Sequence, residues 1–311
     1  KESEGPLAGF FDHTETDTRF GQKTWEKAET RLQELALDTA RSKAQLQYSD
    51  LDVLFAGDLL NQCISSAFAI RDTRIPFLGL YGACSTMAES LTLAAAAVNA
   101  GYAARAAALT SSHFATAERQ YRFPLGYGGQ RTPTAQWTVT GSGCCIVASG
   151  GRGPYLNCAT IGRIEDYGIK DANNMGAAMA PAAYSTLRAH FADTGLRPQD
   201  YDLIVTGDLG TLGSTIVTDL FQRDGVEFGA NYRDCGVLIY DLKRQDVHAG
   251  GSGCGCGASV LCGYLLRQLR EKKINSLLFC ATGALMSPVS TWQGESIPAI
   301  CHAISISNER R

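Results

Sequence analysis

Two hydrophobic periods alternate along this chain. Between residues 25 and 46, Ala28, Leu32, Leu35, Ala36, Thr39 and Lys43 fall along one stripe, which predicts an amphipathic helix. Short apolar runs at 51–56 and 75–80, the second with Pro76 near its start, predict strands. Met87, Ala88, Leu91, Ala94, Ala95 and Val98 then predict an alanine-rich helix over 85–100, and a third strand follows at 105–111. The order returns later as a helix at 182–195, a strand at 202–206, another apolar strand, a helix over 258–271 and a strand at 276–281. Strands alternating with helices imply mostly parallel sheets covered by helices.

The order of elements returns because the residues do. Segments 46–62 and 196–212 align at a spacing of 150, with Leu46/Leu196, Asp50/Asp200, Asp52/Asp202, Gly57/Gly207, Asp58/Asp208 and Leu59/Leu209 identical. Two similar halves pack most simply about a pseudo-twofold axis, giving a layered α/β architecture with two sheets and a division into 1–160 and 161–311. Asp58 and Asp208, one per half, are expected to cap the ends of repeated strands or to orient neighbours in a pocket. Gly250, Gly251, Gly253, Gly255 and Gly257 open the second-half helix, where close packing is the better reading. As a phosphate loop the run lacks a Gly-Lys-Ser/Thr ending, and its glycines do not directly follow a strand.

Composition removes several classes of function. A hydrophobic content of 45% over 311 residues supports a substantial core. The formal net charge is −3 and no basic block exceeds Arg270-Glu271-Lys272-Lys273, so a nucleic-acid partner is not expected. Eleven cysteines include no CxxC pair, which argues against a structural zinc site, and a reducing compartment with mostly core cysteines fits better than a disulfide framework. No signal-peptide pattern opens the sequence. The most apolar stretch, 91–109, is broken by Asn99, Gly101 and Arg105, too polar for a span of about 20 residues. Any membrane contact is therefore expected to be peripheral, and no cofactor is indicated.

Candidate chemistry centres on Cys84, in Tyr81-Gly82-Ala83-Cys84-Ser85-Thr86 between the second strand and the alanine-rich helix. A helix N-terminus favours negative charge, so a thiol there is expected to ionise more readily than a free one, or the backbone N–H groups could hold an anion instead. A small buried residue packed under a helix is the remaining reading.

Duplicated halves with a cysteine at a strand-to-helix turn resemble the thiolase superfamily, which includes the β-ketoacyl-acyl-carrier-protein synthases. More narrowly, the chain resembles the stage V sporulation protein AD family of spore-forming bacteria. The resemblance rests on the segments 82–89 (GACSTMAE), 110–114 (TSSHF) and 117–141, which opens AERQYRFP and closes TAQWTVTG. It implies a thiolase-like fold layered α-β-α-β-α and used for binding. Such a protein would bind pyridine-2,6-dicarboxylate (dipicolinic acid) and assist its uptake, with calcium, into the developing spore. The resemblance further implies a homodimer, peripheral on the spore inner membrane, whose partners are the other proteins of its dipicolinate channel. The alternative is an active thiolase- or synthase-like acyltransferase using Cys84.

Condensing chemistry needs a thiolate and imidazole or amide partners. Where the synthases carry a histidine after the strand read here at 202–206, this chain continues Gly207-Asp208. The second partner position falls within 252–256, a few residues after His248, and Cys280-Ala281-Thr282-Gly283 loosely resembles the second thiolase cysteine segment. A set of Cys84, His248 and Cys280 is thus conceivable, although the alignment must slip to permit it. A flat aromatic dianion needs donors for each carboxylate and an apolar face. Cys84, Ser85, Thr86, His113, Arg119, Gln130, Arg131, His248 and Ser252 are the candidate ligand residues. Arg122, Gln136, Tyr121, Phe123, Tyr127 and Trp137 are interleaved with them, in a segment that is equally a candidate subunit contact. His113 could instead be a hydrogen-bonded core or loop histidine.

Overall fold

The computed structural model describes residues 5–122 and 130–310. The first half runs α1 (Trp25–Lys43), β1 (Val53–Gly57), α2 (Ile64–Ile70), β2 (Phe77–Gly79), α3 (Thr86–Asn99), β3 (Arg105–Ser112), α4 (Phe114–Tyr121), β4 (Trp137–Thr138) and β5 (Gly141–Ala148). The chain continues through β6 (Tyr155–Ile161), α5 (Met175–Thr194), β7 (Leu203–Thr206), α6 (Gly210–Arg223), β8 (Tyr232–Asp234), α7 (Cys235–Leu238), β9 (Gly251–Ser252) and α8 (Cys254–Ser259). A π-helical segment, Val260–Leu265, joins α8 to α9 (Leu266–Arg270), followed by β10 (Ser276–Ala284), α10 (Pro288–Trp292) and β11 (Ala299–Ser307).

The duplication is a duplication of topology. One sheet has the order β2-β1-β3-β5 and the other β6-β11-β10-β7-β8. In each, the central strand after the amphipathic helix is parallel to two neighbours: β1 to β2 and β3, β7 to β8 and β10. In each, the next strand outward is antiparallel, β5 on β3 and β11 on β10. The second sheet takes its fifth strand, β6, from residues that the division at 160 places mostly in the first half.

Side-chain parity builds the layers, because successive strand residues face opposite sides. Ala106 and Ala108 of β3 and Leu277 and Phe279 of β10 pack with α3 and α8 in a middle layer between the sheets. Ala107 and Leu109 face the opposite way, with Leu37 of α1 and Ile70 of α2, and Leu278 and Cys280 face α5 and α6. The result is the expected α-β-α-β-α stack. The glycine run serves close packing: a Cβ on Gly255 would lie 2.3 Å from the Gly141 carbonyl oxygen.

Helix boundaries differ from the periodic reading where polar or small residues are buried. The inward face of α1 is Ala28, Glu29, Gln33 and Leu37, not the stripe from Leu32 to Lys43. The residues Glu29 and Gln33 are tolerated because Ser111 and Thr116 donate to Glu29, and Gln33 donates to Ser66 and Ser111. Helix α5 begins at Met175, ahead of Pro181. Helix α8 begins at Cys254, because its glycines are helical rather than a preceding loop. Among the described residues no helix is long and apolar enough to cross a membrane.

Candidate functional site

After β2 the chain enters a 3-10 turn, Ala83–Ser85, that runs directly into α3. Ala83 has φ +52°, a left-handed conformation that costs an L residue roughly 1–2 kcal/mol. The turn is fastened from within: Ser85 Oγ donates to the Gly82 carbonyl at 2.7 Å and Thr86 Oγ1 to the Ala83 carbonyl at 2.6 Å. Both hydroxyls are therefore spent on the turn, and of this run only Tyr81, Ala83 and Cys84 line the adjoining cavity. The second half presses on the turn through Gly283, where a Cβ would lie 2.5 Å from the Gly82 carbonyl oxygen.

The environment of Cys84 reverses the expectation of a readily ionised thiol. Burial pushes the thiol well above its ordinary range, and the charge of Asp208 adds to the shift. Asp208 follows β7 and Gly207 and stands beside the Cys84 thiol. It accepts from the Gly253 amide at 2.8 Å, Ser252 Oγ at 3.3 Å and Thr282 Oγ1 at 2.9 Å. Burial raises the Asp208 carboxyl above the usual carboxylate range, and these donors oppose the shift. The helix end is outweighed because burial disfavours the thiolate and the neighbouring Asp208 adds to that effect.

A cavity of about 270 Å³ opens beside Cys84 at the junction of the two halves. Strands β4 and β9 pair in parallel there, Thr138 with Ser252, so each half contributes a hydroxyl to the wall. Leu59, Tyr121 and Met175 give an apolar flank, and Ser287 and Ser290 of the α10 turn close another side. Among the described residues lining the cavity, Arg122 is the one cation, and there is neither a carboxylate nor a histidine. The Arg122 guanidinium is buried, donating to Glu118 Oε1 at 2.7 Å and to the Gln136 carbonyl at 2.9 Å. Arg131 also reaches Glu118, at 3.3 Å, so two guanidiniums share one carboxylate and leave a net positive charge behind the wall.

The structure brings only Cys84 and Ser252 of the candidate ligand residues to the cavity wall. His113 caps α4: its Nδ1 accepts from the Ala115 amide at 3.1 Å and its Nε2 donates to the Thr18 carbonyl at 2.8 Å, leaving no ring nitrogen for a ligand. Arg119 turns to α1 and pairs with Glu26. Gln130 is exposed, while Arg131 sits over Trp137 and donates to the Gln136 carbonyl at 2.8 Å. His248 pairs with Asp246 at 3.1 Å outside the cavity, and Cys280 faces the outer helices by strand parity. Cys84, His248 and Cys280 therefore do not assemble as a catalytic set. Phe123 and Tyr127 lie outside the described residues. Asp58 caps its own half, accepting from the Leu60 and Ser66 amides at 2.9 and 2.8 Å.

Thr138, Met175, Ser287 and Ser290 were not legible as site residues. Only the β4–β9 pairing and the return of the α10 turn bring them to the wall. Arg122 had a signal, as a cation among aromatic residues, but nothing in the sequence separates it from Arg119 and Arg131. Among the described residues no group of three or more histidine, cysteine or acidic side chains is placed to hold a metal ion.

Comparison with known proteins agrees with this fold. Among solved structures, 3-oxoacyl-[acyl-carrier-protein] synthase III of Aquifex aeolicus superposes with a TM-score of 0.58 at 12% identity, covering 92% of this chain and 85% of that one. Xanthomonas campestris OleA with bound lauric acid and lauroyl-CoA gives 0.61 at 12% identity, over 89% of this chain and 82% of that one. At such identities the likeness is one of fold, and that fold is thiolase-like. The stage V sporulation protein AD of Bacillus subtilis (strain 168) is 48% identical over 304 residues, 98% of this chain and 90% of that protein. The family model for stage V sporulation protein AD (SpoVAD) matches residues 1–307, and the chain belongs to that family of sporulation proteins.

Proposed function

We propose that this sporulation protein binds pyridine-2,6-dicarboxylate without catalysing a reaction, and that it assists uptake of the calcium salt into the developing spore. The observation that carries the reading is the cavity beside Cys84, which retains a cysteine but offers a buried arginine and hydroxyls where condensing chemistry needs imidazole. Arg122 supplies a planar donor for one carboxylate, Tyr121, Leu59 and Met175 supply a face for the ring, and the Thr138 and Ser252 hydroxyls would turn from Glu118 and Asp208 to reach the ligand. The thiol of Cys84, held protonated by burial, offers a weak donor rather than a nucleophile. Dipicolinate binding by surface plasmon resonance tests the proposal. No response at millimolar ligand from folded protein would overturn it.

The setting is proposed with it: a homodimer, peripheral on the spore inner membrane, engaging the other proteins of the dipicolinate channel. Strand β5 is an edge of the first sheet, and an edge strand can pair with a second copy of itself. Sedimentation of the chain as a monomer at micromolar concentration would remove the homodimer from this picture.

A second reading, acyl transfer through Cys84, is favoured by one observation: the turn that presents the cysteine has kept its strained backbone. It requires a thioester at Cys84 after incubation with acetyl-coenzyme A. Intact-protein and peptide mass spectrometry decide between the readings.

A further inference from the structure

Away from the cavity, strand β5 and the π-helical segment place two sulfurs in contact. Cys145 Sγ and Cys262 Sγ lie 3.4 Å apart, although the residues are 117 positions apart in sequence. The approach is enforced by the backbone: a Cβ on Gly143 would lie 2.5 Å from the Ala258 carbonyl oxygen and 2.8 Å from Cys262 Sγ. Both cysteines are partly exposed and line a groove that runs beside β5. The α-helical hydrogen-bond ladder is interrupted at Cys262, within Val260–Leu265, and π segments of this kind are frequent at functional sites.

We propose that Cys145 and Cys262 form a reversible disulfide that ties the edge strand of the first half to the middle-layer helix of the second. A disulfide S–S bond is about 2.0 Å, so the sulfurs must close by roughly 1.4 Å. The oxidant is a hydroperoxide. The Cys145 thiolate attacks the peroxide, forming an S–O bond as the O–O bond breaks and an alkoxide or hydroxide leaves. The Cys262 sulfur then attacks the resulting sulfenic sulfur, forming S–S as hydroxide departs and takes up the Cys262 proton as water. Either sulfur can donate to the other across the 3.4 Å contact, and Cys145 is taken as the attacking one because Arg270, which lines the same groove, favours its thiolate.

The test is oxidation of the intact chain with hydrogen peroxide, alkylation of remaining thiols in urea, and digestion without reductant. The expected product is a cross-linked peptide joining Cys145 to Cys262, with two hydrogens lost, that disappears on treatment with dithiothreitol. It is absent from Cys262→Ser and retained in Cys158→Ser. The exposed Cys158 reports that the oxidant has acted. Oxidation of Cys158 with Cys145 and Cys262 both still alkylated would overturn the proposal, as would dominant pairing of Cys262 with Cys144. The measurement on the wild-type chain decides the matter even where a variant fails to fold.

Discussion

The Asp208 carboxyl group stands beside the Cys84 thiol, bringing the end of the central strand of the second half against a turn of the first. Asp208 is the repeat partner of Asp58, yet the two have diverged in use. Asp58 receives the amides of its own half, whereas Asp208 gathers Ser252, Gly253 and Thr282 and faces Cys84 of the other half. The pseudo-twofold thus fixes where the carboxylate stands, and the partner half fixes what it does.

A thiol raised by burial and by a carboxylate reacts slowly. Iodoacetamide is expected to modify the exposed Cys158 at least roughly tenfold faster than Cys84 at neutral pH, as followed by peptide mass spectrometry. Asp208→Asn removes the charge that helps to raise the thiol and should narrow the difference. Equal rates in the wild-type protein would show that Cys84 is activated after all.

Arg122 and Arg119 lie three residues apart but face different elements. Arg122→Lys keeps the charge and loses the planar fork, so dipicolinate affinity should fall roughly tenfold or more. Arg119→Gln breaks only a half-exposed pair with Glu26 and should leave affinity within about twofold. Calorimetric titration of both variants checks the assignment; equal losses, or loss only in Arg119→Gln, would move the ligand out of this cavity.

Buried carboxyls set the pH dependence of stability. Burial, with the charge of Asp58, pushes Glu29 up to about 8, and burial, with the charge of Asp208, pushes Asp234 up to about 7. Both folded values lie above those of the unfolded chain, so the folded state binds more protons. This contribution is full below about pH 4 and is lost as pH rises through 7 and 8. Buried His113, His190 and His302, held below the ordinary imidazole range by burial, oppose this trend below about pH 7, so the thermal midpoint should decline between pH 7 and pH 9, and Glu29→Gln should flatten the decline. A midpoint that rises over that interval contradicts the burial of these groups.

How far the sequence reached depended on what each inference used. The six identities at a spacing of 150 foretold two sheets, because a repeated strand and helix order leaves few ways to pack. Periodicity failed at Glu29 and Gln33, which count as polar yet are buried, since their partners Ser111 and Thr116 are distant in sequence. Proximity along the chain misled at His248: four residues from Ser252, it turns to Asp246 instead of the cavity. Cys280 was lost to parity, because adjacent β10 residues face opposite layers. The segment richest in resemblance, 117–141, mixes a wall residue, Arg122, with Arg119 and Arg131, and only tertiary contacts tell them apart.

The resemblance read from the sequence implies that Gly207 stands where the synthases place a histidine, and introducing an imidazole there tests whether packing admits one. A Cβ at this position would lie 3.1 Å from Ala281 Cα and 3.3 Å from the Thr282 amide nitrogen, and both are backbone atoms of β10. That strand cannot give way easily, because β7 and β11 hold it on either side. Gly207→His and Gly207→Ala share the same first clash, so both should lose roughly 1–3 kcal/mol of stability, read from denaturant unfolding. The added imidazole would also enter a site where Asp208 is committed to Gly253 and Thr282 and the Cys84 thiol is held protonated. Gly207→His is therefore expected to gain no acetyl group at Cys84 from acetyl-coenzyme A. A variant as stable as wild type that acquired the thioester would show that one residue separates binding from catalysis here.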